Sequence, residues 1–99
     1  AILVDCATLW LSNLMEAGRD PGPAIEAVAR AIPGLPGPLV VVTNEVGHGI
    51  VPENALARSF RDHHGRMNQR LAAAMDHVVL MVAGRALVLP RSPAPEIAL

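Results

Sequence analysis

The sequence predicts an α/β fold: a parallel sheet with crossover helices, closed by an antiparallel hairpin. Three observations predict it. Ala1-Ile2-Leu3-Val4 and Leu39-Val40-Val41-Val42-Thr43 are short, uninterrupted apolar runs, the pattern of parallel strands buried on both faces. Helical periodicity fills the stretches that follow each run, as a crossover connection requires. A third apolar run, His77–Val82, meets a fourth, Arg85–Leu89, across the two-residue turn Ala83-Gly84, which is a hairpin signature.

Each element has its own local signals. The first strand ends at Asp5-Cys6. Leu9–Met15 reads as a helix with Thr8 as its N-cap and Gly18 as its stop. Asp20-Pro21-Gly22-Pro23 is a turn, with Pro23 suited to the first position of a second helix. Ile25, Val28 and Ile32 share one face of that helix, and the Pro33–Pro38 segment breaks it. After the second strand come Asn44-Glu45 and the loop Val46-Gly47-His48-Gly49-Ile50. Pro52-Glu53-Asn54 then opens a long helix reaching about Met75, with Leu56, Phe60, Met67, Leu71 and Met75 as its apolar stripe. Gly65 sits inside this helix at a cost of about 1 kcal/mol relative to Ala. Residues 1–90 read as part of a single domain and 91–99 as a loose, proline-rich tail. The chain starts inside a strand without Met, so the N-terminus is expected to have been cut away or never included.

Composition narrows the partners. Of the 99 residues, 52% are hydrophobic, more than a domain of this size readily buries. Part of that surface is therefore expected to pack against something outside the chain. The net charge is −1 and no basic run is present, which argues against nucleic-acid binding. All eight of the Lys+Arg residues are Arg, excluding a P-loop lysine or a Schiff-base lysine. Trp10 and Phe60 are the only aromatic residues, too few for a base-stacking platform, and Trp10 is expected in the core. The lone Cys6 can form no internal disulfide and fits a reducing compartment. No apolar run approaches the roughly 20 residues of a membrane span. The chain reads as soluble and cytoplasmic.

In open α/β sheets ligands gather outside the carboxyl ends of the strands. That rule selects Asp5-Cys6 and Thr43-Asn44-Glu45. A carboxylate held at a strand end, as in the Walker B arrangement, can hold Mg²⁺ beside nucleotide phosphates. Asp5 is thus a nucleotide and metal candidate, the alternative being a helix cap. Glu45 could hold Mg²⁺, orient a nucleophile or act as a base, and Gly47 and Gly49 allow close ligand approach. The alternative for this loop is a simple bend before a helix. Cys6 could be a nucleophile, but a small buried residue is the simpler reading. His48, His63, His64 and His77 lack zinc-motif spacing and read as solvated or half-buried. Arg58, Arg61, Arg66 and Arg70 could meet phosphates, or form an ordinary solvated helix face.

Taken in order, three segments resemble one family. Ile2–Leu14, ILVDCATLWLSNL, is similar to its LVDCLTLWLTNLL stretch. Val42–Asn54, VTNEVGHGIVPEN, is similar to VTNEVGxGIVPEN. Ala57–Asp62 with Gly65–Ala74 resembles ARxFRD…GRxNQRLAAA. The family is the bifunctional adenosylcobinamide kinase and adenosylcobinamide-phosphate guanylyltransferase of cobalamin biosynthesis, and the likeness runs from about Ile2 to Leu89. The resemblance implies a RecA-like P-loop fold, lacking here its N-terminal P-loop unit. It implies phosphorylation of adenosylcobinamide by ATP or GTP, then transfer of GMP from GTP to that phosphate through a guanylylated histidine. It also implies a homotrimer and a cytoplasmic enzyme. The family's P-loop and guanylylated histidine precede the Asp-Cys strand, and no residue here matches either. The resemblance carries only Asp5 across as a nucleotide contact; Glu45 falls in a matching motif, and its supporting role is inferred from its place at the strand end. The chain alone is expected to be inactive, a portion of the enzyme. Alternatives are one half of a split enzyme, or a non-enzymatic binding or oligomerisation module.

Overall fold

The computed structural model describes residues 1–45 and 54–91. The glycine loop with Gly47, His48 and Gly49, the Pro52-Glu53 helix opening and most of the proline-rich tail lie outside the described residues. The element order is β1 (Ile2–Asp5), α1 (Ala7–Glu16), α2 (Pro21–Ala31), a 3-10 turn (Ile32–Gly34), β2 (Leu39–Val42), α3 (Ala55–Ala74), β3 (Val78–Val82) and β4 (Arg85–Leu89). β1 and β2 pair in parallel, with Ile2 opposite Leu39 and Asp5 opposite Val42. β3 and β4 form the expected antiparallel hairpin, with Val82 opposite Arg85. Among the described residues β3 does not join the parallel pair, so the strands form two separate two-stranded sheets.

Local chemistry explains the element boundaries, and two helix starts differ from the sequence expectation. The residue flanking α1 at its start is Cys6, in extended conformation and without a side-chain cap bond. Thr8 therefore does not cap the helix. It lies in the first turn, and its hydroxyl points sideways toward other elements. Asp5 does not cap α1 either. The far end does follow expectation. Gly18 has φ of 71°, its N–H donates to the Met15 carbonyl at 3.0 Å, and the Arg19 N–H donates to Leu14 at 3.0 Å. This pair of bonds is a Schellman motif, which satisfies carbonyls the helix leaves open. α2 begins at Pro21 rather than Pro23, because Asp20 caps it by accepting from the Gly22 N–H at 3.0 Å. Pro21 is tolerated at the first position because its missing N–H has no helical partner there. For α3 the cap is Asn54, whose Oδ1 accepts from Leu56 N–H at 2.7 Å and Ala57 N–H at 3.2 Å.

The core lies between the three helices. Leu11 from α1, Ile25 and Ala29 from α2, and Met67 and Leu71 from α3 are buried together, with Ala7. Trp10, Ile32, Val41 and Phe60 pack around them partly exposed. The α3 stripe is shifted from expectation: Leu56 is 70% exposed, while His64 joins the buried face. α2 and α3 are also tied by charge. The Arg70 guanidinium grips Glu26 through both carboxylate oxygens, at 2.8 and 2.9 Å, and Arg30 adds a contact at 3.2 Å. The Arg70 hydrogen bonds hold the Glu26 carboxyl below its ordinary pKa. Arg70, offered by the sequence as a phosphate contact or a solvated residue, is thus committed to an interhelical ion pair.

Candidate functional site

β1 and β2 run in the same direction and in register, so their carboxyl ends open side by side. Asp5 is the last residue of β1, and Thr43-Asn44-Glu45 continues directly from β2. The topology therefore brings together the two places selected from sequence. Asp5 is exposed and makes no hydrogen bond or ion pair to any described residue. Glu45 is exposed as well, and its Oε1 lies 3.4 Å from the Asn68 side-chain nitrogen. A carboxylate at one strand end thus stands next to the strand end carrying the other.

Beneath these ends sits a polar cluster that sequence reasoning missed. Asn68 on α3 donates through Nδ2 to the Asn44 carbonyl at 2.9 Å, and its Oδ1 accepts from the Thr43 hydroxyl at 2.7 Å. The Thr8 hydroxyl on α1 accepts from the Asn44 backbone N–H at 3.2 Å and lies 2.9 Å from His64 Nε2. The other ring nitrogen, His64 Nδ1, is 3.4 Å from Asn68 Nδ2. His64 is 1% exposed and stacks at a tilt on Phe60, with ring centroids 5.6 Å apart. Burial pushes its pKa below the ordinary histidine value, and the nearby Glu45 carboxylate opposes that shift in part. The expectation of a solvated or half-buried side chain is thus corrected for His64. No buried side-chain nitrogen or oxygen among the described residues is left without a partner.

A signal for this cluster does exist in the sequence. The apolar stripe of α3 runs through Phe60, Met67 and Leu71 but skips the turn between Phe60 and Met67. His64 falls in that gap, four residues from both Phe60 and Asn68, so all three share a face. A polar side chain on the buried stripe of a helix needs partners, and those partners are on α1 and after β2.

His63 and His77 are not buried, and His48 falls outside the described residues. Among the described residues no three His, Cys, Asp or Glu side chains gather closely enough to hold a metal ion by themselves. Cys6 is a free, half-buried thiol. Arg58 and Arg66 are exposed on α3, and Arg61 is half-buried. No described helix is long and apolar enough to cross a membrane.

An α/β unit with carboxylates at adjacent parallel strand ends, set over a satisfied polar cluster, has the layout of a ligand-handling class in which the strand ends carry the chemistry. The particular family follows from comparison with known proteins. Residues 1–89 match the family model described as cobinamide kinase / cobinamide phosphate guanyltransferase, and the chain belongs to that family. It is 46% identical over 99 residues to the bifunctional adenosylcobalamin biosynthesis protein CobU of Salmonella typhimurium, covering 85% of this chain and 55% of that protein. It is 42% identical over 98 residues to CobU of Escherichia coli, covering 84% and 54%. With the bifunctional protein CobP of Pseudomonas aeruginosa it shares 38% over 95 residues, covering 93% and 54%. The chain spans about half the length of the curated relatives it matches.

Proposed function

We propose that residues 1–90 are the C-terminal part of a single, RecA-like nucleotide-binding domain, with 91–99 as a tail. The whole enzyme phosphorylates adenosylcobinamide with ATP or GTP. It then transfers GMP from GTP to the resulting phosphate, giving adenosylcobinamide-GDP. The observation that carries this reading is the juxtaposition of Asp5 and Glu45 at neighbouring carboxyl ends in a chain of this family. Asp5 would contact the nucleotide and hold Mg²⁺. A lone exposed carboxylate suits that ion, which is commonly held by one or two carboxylates with substrate phosphates and water completing its shell. A bound ion there would supply positive charge to the phosphate oxygens. Glu45 supports the site from just beyond β2, where Asn68 anchors the preceding Asn44 carbonyl.

The phosphate-binding loop and the guanylyl-accepting histidine of the family are expected from sequence upstream of Asp5. The segment described here therefore supplies half of a site, consistent with inactivity of this chain by itself. The assembled enzyme is a cytoplasmic homotrimer in this reading. The extensive exposed apolar surface supports assembly, and it also favours a second reading as a non-enzymatic oligomerisation module.

The test is a chimera joining this chain to the upstream half of the Salmonella relative. Incubation with labelled GTP should label the protein, and adenosylcobinamide should be phosphorylated. Asp5→Asn should lower both activities by on the order of a hundredfold, as expected for losing a metal-anchoring carboxylate. A folded chimera without labelling, or one indifferent to Asp5→Asn, would overturn the reading.

A further inference from the structure

The proton arrangement of the polar cluster can be derived from its fixed members. Asn44 offers a carbonyl, which only accepts, to the Asn68 amide at 2.9 Å, so Asn68 Nδ2 faces the strand end. Asn68 Oδ1 then takes the Thr43 hydroxyl proton at 2.7 Å, which is the only proton Thr43 Oγ1 has to give. His64 Nδ1 faces the Asn68 Nδ2 donor at 3.4 Å, so Nδ1 is the bare, accepting nitrogen. A neutral imidazole with bare Nδ1 carries its proton on Nε2, and that proton is donated to Thr8 Oγ1 at 2.9 Å. The Thr8 hydroxyl proton turns to Thr43 Oγ1 at 3.4 Å. The four side chains thereby close a ring in which each donates to the next: Thr8 to Thr43, Thr43 to Asn68, Asn68 to His64, and His64 to Thr8. The opposite tautomer would set Nδ1–H against the Asn68 amide hydrogens and break the ring at two places.

We infer that His64 and Asn68 are positioning residues, which lock the carboxyl end of β2 to α1 and α3 and hold Glu45 at the site. The inference rests on the reading of the strand ends as the nucleotide site. The anchorage to the strand is direct. Asn68 binds the side chain of Thr43 and the carbonyl of Asn44, and with its second amide hydrogen given to His64 it places Glu45 through the adjoining Asn44 backbone, whose N–H Thr8 binds. His64 touches none of these groups. It fixes the rotamers of both side chains that do, one with each ring nitrogen.

The test uses the full chain labelled with ¹⁵N. Long-range proton–nitrogen spectra of the imidazoles should show His64 as the neutral Nε2–H tautomer, a signature that packing alone does not set. Asn44 amide exchange should be slow. Thr8→Val should accelerate it about tenfold, in line with the roughly 1 kcal/mol of a lost hydrogen bond, while Thr8→Ser should restore protection. Core amides of Leu11 and Met67 should keep their wild-type protection in both variants. A Nδ1–H tautomer in the wild-type chain, which requires no variant to fold, overturns the inference. So does Asn44 exchange indifferent to Thr8→Val. Titrating the chimera with the upstream half of the Salmonella relative, labelled in the same way, with Mg-GTP separates the two levels. Shifts at Asp5 and Glu45 alongside the wrong tautomer sink the positioning pair alone. The right tautomer without any such shifts sinks the site reading, and with it the functional role assigned to the pair.

Discussion

At the residue scale, His64 shows how position alone changes what a side chain can do. His63 beside it is only half-buried, whereas His64 is enclosed, with Phe60 against its ring and a partner at each nitrogen. Burial holds its pKa below the ordinary value of 6.5. In the unfolded chain the imidazole takes up a proton as pH falls through about 6.5, while the folded chain resists. The folded state thus keeps its full contribution above that pH and loses stability as pH falls toward the lowered folded value. Urea denaturation between pH 8 and 5 should reveal this loss, and His64→Asn should flatten it. An equal slope in the variant would assign the effect to other groups. The gap in the α3 apolar stripe is the sequence signal for this residue, but it does not name the partners.

At the element scale, helix ends and turns were written locally, but their exact residues depended on competing chemistry. The Gly18 stop was legible because only a residue tolerant of positive φ closes that motif cheaply. The hairpin turn was legible for a related reason, although Ala83 adopts φ of 51° beside Gly84 at 72°. The start of α2 was misplaced because two prolines compete, and the Asp20 side chain decides for Pro21. In α3, Gly65 has nothing within 4 Å of where a Cβ would stand, apart from its own helix and chain neighbours. Gly65→Ala should therefore stabilise the chain by about 0.5–1 kcal/mol through reduced unfolded-state freedom and better helix propensity. Denaturant melts check this, and a destabilised variant would mean that the helix surface here is covered by another part of the assembly.

At the scale of the whole molecule, the described core is thin and the strands are bare. Leu3 is 68% exposed, Met81 60% and Val88 65%, and every β4 residue is exposed. An apolar groove of about 350 Å³ also opens between the parallel pair and the helices, lined by Val4, Trp10, Val28, Ile32, Leu39 and Val41. Contiguous apolar surface of this kind marks interaction faces. The chain should associate in a concentration-dependent way in sedimentation, and Met81→Lys with Val88→Lys should shift it toward monomer. Unchanged association in that double variant would exclude the hairpin as the contact. Burial on both strand faces, expected from the uninterrupted apolar runs, is not achieved by the described residues alone.

The sequence by itself determined the α/β class, the order of its elements and, through three ordered motifs, the family. These depend on local pattern: apolar periodicity, capping chemistry and residue identity at fixed spacing. It also marked Asp5 and Glu45 as candidates, because strand ends are readable from where apolar runs stop. Only the tertiary structure decided that Thr8, Thr43, His64 and Asn68 meet, that Arg70 is committed to Glu26, and that the hairpin stands apart from the parallel pair. Those outcomes join residues 25 to 56 positions apart. The physical reason is that a hydroxyl, amide or imidazole carries no local mark of its partner. Its orientation is set when the hydrophobic faces of three helices dock and leave a buried polar group that must be satisfied.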